Sequence, residues 1–194
     1  EAKRVFGQEG ISVPRSLGVF EKAEDVGRAA GAGANVMLKS LVLIGGRGKA
    51  GGVRKAAGAA EAAALAGEML GRKIRGYEVE RLLVEEAVET TGGAAYIGVT
   101  MNPADFNVTV IASPAGGVDI EQVARETPDK VLRVELPGND MTLPEAAADR
   151  LAGFLAAGLP DGKALIGGLK DILSKLYALF QDRKSVLYGN RLYR

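Results

Sequence analysis

A glycine-rich loop that follows a strand-like segment constrains this chain more than any other feature. Residues 35–44 are mostly apolar and contain one charge, Lys39, and five glycines then fall within residues 45–52. An apolar run bounded by glycine is typical of a buried strand that leads into a tight loop. Cations but no acidic residue lie between Lys39 and Lys55. Because glycine amides can approach a ligand closely and Arg and Lys neutralise phosphate, this segment predicts a polyphosphate ligand such as a nucleotide.

Three interpretations of the loop compete at the level of sequence. Residues 46–51 fit the G-x-G-x-x-G dinucleotide pattern, but Val53-Arg54-Lys55 follows them rather than a helix start. A Walker loop requires Ser or Thr after its Gly-Lys pair, where this chain has Ala50. The third interpretation is a surface hairpin whose glycines only make turns, and the sequence leaves it open beside the phosphate loop.

Hydrophobic periodicity and turn residues divide the chain into helices and strands. The periodicity predicts helices over residues 1–9, 21–30, 59–70, 119–125, 143–157 and 165–181. It predicts strands within residues 13–19, from 35, and over 72–77, 79–88, 96–101, 106–112, 130–136 and from 185. Since no clean βαβ repeat emerges, the fold class is α/β or mixed α+β. The alanine-rich helix at 59–70 is expected to pack loosely or outermost, and residues 72–77 to return to the main sheet.

Composition excludes several functions. The chain has 25 basic and 24 acidic residues, so its overall charge gives no reason to expect nucleic-acid binding. It has no cysteine and no histidine, which excludes disulfides, thiol chemistry, an imidazole base and a phosphohistidine on this polypeptide. No apolar run approaches the length of a membrane span, so we expect no membrane partner and a cytoplasmic location. The start at Glu1 is neither an initiator nor a signal peptide, so we expect a trimmed or partly ordered chain.

Four motifs, taken together, resemble the β subunit of ADP- or GDP-forming acyl-CoA synthetases, the succinyl-CoA synthetase group. They are Lys39 with GGRGKAGGV at 45–53, the opening segment 1–14, LVEEA at 83–87, and GGVDIE at 116–121 with ETP at 126–128. The motifs occur in the family's order and span nearly the whole chain. The resemblance implies an ATP-grasp fold, with two lobes around a nucleotide cleft. One lobe would be about 21–100 and the other 1–20 plus 101–194, with the family's C-terminal CoA-ligase domain absent.

The resemblance also assigns nucleotide-binding roles. Lys39 would bind phosphate, a role that suits a lone lysine in an apolar strand because an unpaired buried ammonium is costly. Its alternative is a position on the solvent face of the strand. Loop residues Gly46, Arg47 and Gly48 would contact phosphate, Glu85 would contact the sugar or an amide, and Val88 would end a hinge whose backbone reads adenine. Glu86 is interpreted as a solvated neighbour, while Asp119 and Glu121 suit helix capping as well as chemistry.

Departures from the family's pattern concern magnesium. The Glu-x-Asn-Pro motif of the final strand reads Tyr188-Gly189-Asn190-Arg191 here, which leaves Asn190 as the candidate metal ligand. Ala115 stands where an acid usually precedes the Gly-Gly turn, and Gly92-Gly93-Ala94 replaces a Lys-Glu pair. Magnesium prefers oxygen ligands, among which carboxylates are common in proteins. We therefore expect a weakened Mg²⁺ site.

The leading hypothesis is the nucleotide-binding portion of an ADP-forming acyl-CoA synthetase. It would position ATP, or GTP, for the reaction of an acid, CoA and ATP to acyl-CoA, ADP and phosphate, by orientation and charge neutralisation without a catalytic residue of its own. The family's reaction uses a phosphohistidine on a CoA-binding α subunit, so such a subunit is the expected partner and the isolated chain is expected to be inactive. The alternatives are a degenerate binding or regulatory module without turnover and a scaffold for that subunit.

Overall fold

A computed structural model describes residues 2–44, 46–89 and 93–183, together with the backbone of 187–193. The helices are α1 (Ala2–Gln8), α2 (Ala23–Ala30), α3 (Gly58–Met69), α4 (Ile120–Glu126), α5 (Glu145–Ala157) and α6 (Gly162–Arg183). The strands are β1 (Ser16–Phe20), β2 (Asn35–Ser40), β3 (Val53–Ala57), β4 (Lys73–Ile74), β5 (Tyr77–Glu78), β6 (Leu82–Glu86), β7 (Ala94–Met101), β8 (Val108–Ser113), β9 (Leu132–Leu136) and β10 (Leu187–Tyr193). Every strand pairing in the described part is antiparallel, and the predicted mixed class is confirmed.

The chain forms two compact units. The first is Val13–Val88, and the second combines Glu1–Ser12 with Glu89–Arg194. These bounds differ from the lobe boundaries expected near residues 20 and 100. The physical reason is strand pairing: β1 pairs with β6 of the first unit, whereas β7 lies between β10 and β8 in the sheet of the second unit.

The first unit is a four-stranded sheet in the order β1-β6-β2-β3, covered by α2 and α3. Side chains alternate along β2, so Val36 and Leu38 enter the apolar core while Met37 and Lys39 lie on the opposite face. The apolar run predicts a strand up to the glycines of the loop, but the strand ends earlier, at Ser40. Leu43 is 97% exposed, so the apolar segment after Ser40 is loop rather than a continuing strand.

The alanine-rich helix α3 packs tightly, and the prediction of loose packing is wrong. Ala62, Ala66 and Met69 are buried in the core. A Cβ atom at Gly27 of α2 would lie 3.0 Å from the Cβ of Ala63 and 3.1 Å from the carbonyl oxygen of Ala59. Small side chains therefore allow these two helices to approach closely, which compensates for the weak apolar stripe of α3.

Residues 72–77 do not join the main sheet. Strands β4 and β5 instead form a separate two-stranded ribbon, in which Lys73 pairs with Glu78 and Ile74 with Tyr77. Backbone bonds from Gly71 N to Val79 O and from Val79 N to Arg72 O, both 2.9 Å, extend this pairing. The prediction was wrong because a tight turn at residues 75 and 76 reverses the chain before a full strand can form.

The second unit has a sheet in the order β10-β7-β8-β9, packed with α5 and α6. The predicted hairpin of β7 and β8 is confirmed, with Val99 paired to Val110. The predicted apolar stripe of α6 also lies in the core, where Leu173, Leu176 and Phe180 are buried. None of the helices in the described ranges combines the length and apolar character needed to cross a bilayer.

Candidate functional site

Lys39 and Glu85 form an ion pair on the face of the first sheet that lies away from its helices. Met37 is opposite Glu85, and Lys39 is opposite Leu83, so Lys39 and Glu85 are diagonal neighbours on adjacent strands. Lys39 Nζ donates to Glu85 Oε2 at 2.5 Å. The Lys39 side chain is 19% exposed and that of Glu85 is 1% exposed. Lys39 therefore lies on the sheet face opposite the core, as its alternative interpretation required, but its ammonium is paired with Glu85 rather than extended into solvent.

The sequence singles out both residues but does not predict that they pair. The register of β2 against β6 is the missing information, because diagonal contact depends on it. An acid and a lysine in two apolar strands are the available signal, since buried charges in proteins are usually paired. The predicted contact of Glu85 to a sugar stays a prediction, and its carboxylate is used here to hold the ammonium of Lys39.

The glycine loop is closed by backbone hydrogen bonds at its far end. Gly51 N donates to Gly48 O at 3.1 Å and Gly52 N to Arg47 O at 2.8 Å, and Ser40 N donates to Gly52 O at 2.8 Å, which joins the loop to β2. Gly46 and Gly51 have φ values of 69° and 73°, in the left-handed region that favours glycine. Strand β3, which the sequence analysis did not predict, follows the loop, so the helix required by a dinucleotide fingerprint is absent at this point.

The amides of Gly46, Arg47 and Gly48 make no hydrogen bond to any residue the structure describes. Gly46 and Gly48 are exposed, and Arg47 is half-buried. One guanidinium nitrogen of Arg47, Nη1, donates to Ser40 O at 2.8 Å, and the other donors of its planar group make no hydrogen bond to a described residue. Three consecutive donors beside a guanidinium are suited to bind an anion such as phosphate.

At the predicted hinge, residues 86–88, two of the three backbone amides are bonded within the first unit. Glu86 N donates to Arg15 O at 3.0 Å, and Ala87 N to Asn35 O at 2.9 Å. The amide of Val88, a residue that is 45% exposed, has no such partner among the described residues. Glu86 is not merely solvated, because its carboxylate accepts from Arg15 N at 2.9 Å and lies 3.6 Å from Arg15 Nε.

The Gly-Gly turn of the second unit has a structural role. Gly116 N donates to Ala94 O at 2.5 Å, and a Cβ atom at Gly116 would lie 2.5 Å from that oxygen. Asp119 is at the N-cap of α4 but its side chain makes no capping hydrogen bond there, and Glu121 lies in the first turn of the same helix. Nearby Tyr96 is half-buried, and burial, with a smaller contribution from Glu121, raises the pKa of its hydroxyl above the ordinary value.

The metal prediction is not tested by the geometry. Asn190 pairs with Ile97 through the backbone of β10, and its side chain lies outside the described residues, as does that of Tyr188. Within the ranges that the structure describes, no group of three or more acidic side chains is placed to hold a metal ion.

Comparison with known proteins identifies the class. Residues 1–188 match the ATP-grasp domain, so the chain belongs to the ATP-grasp family. It is 39% identical over 183 residues to the β subunit of the ADP-forming succinate–CoA ligase of Natronomonas pharaonis, covering 94% of this chain and 47% of that protein. It is 44% identical over 133 residues to the corresponding subunit of Halobacterium salinarum, covering 69% and 35%. The resemblance inferred from the four motifs is confirmed.

Solved structures share the fold. A dinucleotide-forming acetyl-coenzyme A synthetase of Ca. Korarchaeum cryptofilum superposes with a TM-score of 0.68 at 19% identity, covering 100% of this chain and 84% of that one. ATP citrate lyase of Methanothrix soehngenii gives a TM-score of 0.64 at 19% identity, covering 91% and 40%. The predicted ATP-grasp fold is thus confirmed. The chain spans about half the length, or less, of the curated relatives described above.

Proposed function

We propose that the first unit binds the phosphate chain of ATP or GTP at its glycine loop. The observation that carries this proposal is the set of consecutive amides at Gly46, Arg47 and Gly48 that bond to no described residue, on the loop that follows the strand bearing Lys39. The backbone amides and the adjacent Arg47 guanidinium would donate to phosphate oxygens, and the ammonium of Lys39, oriented by Glu85, would neutralise them. The amide of Val88 would donate to the nucleobase at the hinge.

The reaction we propose is that of the ADP-forming acid–CoA ligases to which the chain is similar. ATP would be held so that its γ-phosphoryl group can leave, by positioning and charge neutralisation. Because this chain contains no histidine, a phosphohistidine would have to come from a CoA-binding α-type subunit. Asn190, which this chain retains from the family motif, would hold Mg²⁺, and the metal would supply positive charge to neutralise the phosphates.

A second candidate is a nucleotide-binding module without turnover. Tyr188 and Ala115, which replace acids of the family's pattern, favour it. The dependence of binding on magnesium separates the two functions, since a working ligase site binds the metal-bound nucleotide, whereas a site that has lost its metal ligands does not need the metal.

Calorimetric titration of ATP and GTP into the chain, with and without Mg²⁺, tests the proposal. Lys39→Met removes the ammonium that pairs with the buried carboxylate of Glu85, so a loss of stability could be mistaken for a loss of binding. The double variant Lys39→Met with Glu85→Gln removes both charges and should retain the fold. We expect both variants to lose most of the affinity, while Arg54→Met, at a surface ion pair with Glu68, should bind as the wild type does.

The outcomes are distinct. Wild-type binding that strengthens with Mg²⁺ and is lost in the double variant supports the ligase assignment. Binding that is indifferent to Mg²⁺ favours the module without turnover. A folded wild-type chain that binds neither nucleotide refutes both.

A further inference from the structure

The ribbon of β4 and β5 lies directly against the glycine loop. A Cβ atom at Gly52 would be 2.8 Å from Cδ1 of Ile74, and one at Gly51 would be 3.5 Å from Nη1 of Arg72. At the start of the loop, a Cβ atom at Gly46 would be 3.3 Å from Nη2 of Arg75. The absence of side chains at these loop positions therefore allows the ribbon to approach the loop.

The ribbon is a fixed element rather than a free hairpin. Ile74 is buried in the core of the first unit, and Val79, which follows the ribbon, is fully buried there. With these two side chains anchored, the backbone of Arg75 has a defined position relative to the loop, and the bond from Val79 N to Arg72 O fixes the backbone of Arg72. The guanidinium groups of Arg72 and Arg75 lie at opposite ends of the glycine loop.

Arg75 adopts an unfavourable backbone conformation. Its φ is 48° and that of Gly76 is 89°, so both central residues of the turn from Ile74 to Tyr77 have positive φ. A two-residue hairpin turn of this kind prefers Asn followed by Gly, and a long side chain at the first position is disfavoured. The side chain of Arg75 lies beside Gly46, so the strained position directs a cation towards the loop.

Arg72 and Arg75 have no acidic partner within 4 Å in the part of the chain that the structure describes. Both residues are exposed. The loop contributes no acid either, since residues 39–55 contain none. Two guanidinium groups with no carboxylate partner among the described residues, beside three amides that bond to none of those residues, favour an anionic ligand with several oxygens.

We propose that Arg72 and Arg75 form a second wall of the phosphate site, opposite the loop amides. Arg75 binds the phosphate held by the amides of Gly46 to Gly48, and Arg72 adds charge at the Gly51 end. The ligand class is a polyphosphate chain, whether free or part of a nucleoside triphosphate. The assignment to a nucleotide rests on the function proposed above, whereas the affinity for polyphosphate does not.

The variant Arg75→Asn tests this wall without endangering the fold. Asparagine followed by Gly76 suits a turn in which both central residues have positive φ, so the variant should be at least as stable as the wild type. We expect it to bind ATP and inorganic tripolyphosphate about tenfold more weakly, the change for one charge-assisted hydrogen bond. Arg72→Gln should give a smaller loss, and Arg54→Asn, which changes an exposed arginine paired with Glu68, should give none.

The measurement is calorimetric titration of ATP, tripolyphosphate and adenosine into the wild type and each variant, at low and at moderate salt. Adenosine has no phosphate, so its binding should be unaffected by Arg75→Asn. If the wild type binds ATP and the dissociation constant of Arg75→Asn lies within about twofold of the wild-type value, the proposed role of Arg75 is refuted and the proposed function is retained. If the wild type binds tripolyphosphate but not ATP, and Arg75→Asn no longer binds tripolyphosphate, the proposed role of Arg75 is supported and the nucleotide assignment is refuted. A wild type that binds neither refutes both.

Discussion

The ion pair of Lys39 and Glu85 provides the strongest prediction about stability. Lys39→Met leaves a carboxylate that is 1% exposed without the ammonium 2.5 Å away. Coulomb attraction at that distance is about 7 kcal/mol at an effective dielectric constant of about 20, and desolvation of the two ions offsets much of it. Breaking a buried pair by removing one partner typically costs about 3–5 kcal/mol. We expect about 3 kcal/mol, at the low end of that range, because the 19% exposure of Lys39 shows that water can reach this position.

The two ends of the pair should respond unequally. Glu85→Gln leaves Lys39 partly exposed, so its ammonium can reach water, and we expect a loss of about 1–2 kcal/mol. In the double variant, adding Lys39→Met to Glu85→Gln should cost little, which gives a coupling energy of about 2–3 kcal/mol. The exposed pair of Arg54 and Glu68, 3.7 Å apart, serves as the control, and Arg54→Met should cost less than about 1 kcal/mol.

Urea unfolding followed by far-UV circular dichroism measures these differences, provided that the m value stays constant between variants. Because the chain has two compact units, hydrogen exchange of amides in β2 and β6 reports the first unit separately. A loss in Lys39→Met no greater than that in Arg54→Met would refute the reasoning. So would a coupling energy near zero, since the two charges would then be stabilised independently.

Three further predictions concern other described residues. Ser40 Oγ is buried with no hydrogen-bond partner in the described residues, so Ser40→Ala should be neutral or raise the unfolding free energy by about 1 kcal/mol, measured by urea titration. Gly116→Ala would place a methyl group 2.5 Å from Ala94 O, and a fall in unfolding free energy of about 1–3 kcal/mol is expected in the same assay. Burial raises the pKa of the Tyr177 hydroxyl above 10.0, so its contribution to stability is fully present below pH 10 and is lost as the pH rises through the folded pKa. Tyr177→Phe should make the alkaline decline in thermal stability shallower, although it also removes the hydroxyl that accepts from Gln181.

Sequence patterns predicted the secondary structure and the site loop but not their contacts. Most helices and strands were predictable because periodicity and turn residues act locally, as the hairpin of β7 and β8 illustrates. The ribbon was not, since a positive φ at Arg75 is not signalled by an arginine in the sequence. The pairing of Lys39 with Glu85, 46 residues apart, depends on strand register, which the sequence does not specify locally.

Gly48 is a loop glycine that the fold itself does not require, so a substitution there tests contact with a ligand separately from stability. Gly46 and Gly51 have positive φ, and a Cβ atom at Gly52 would contact Ile74, so the protein itself favours glycine at these three positions. A Cβ atom at Gly48 would have no neighbour within 4 Å among the described residues, and the φ of Gly48 is not in the left-handed region. Gly48→Ala should therefore leave the free energy of unfolding unchanged or raise it by about 0.4–1 kcal/mol, because alanine lowers the conformational entropy of the unfolded chain. If a phosphate approaches the amide of Gly48 closely, the methyl group will nevertheless weaken ATP binding in calorimetry. Unchanged affinity would show that the loop does not contact the nucleotide at this residue.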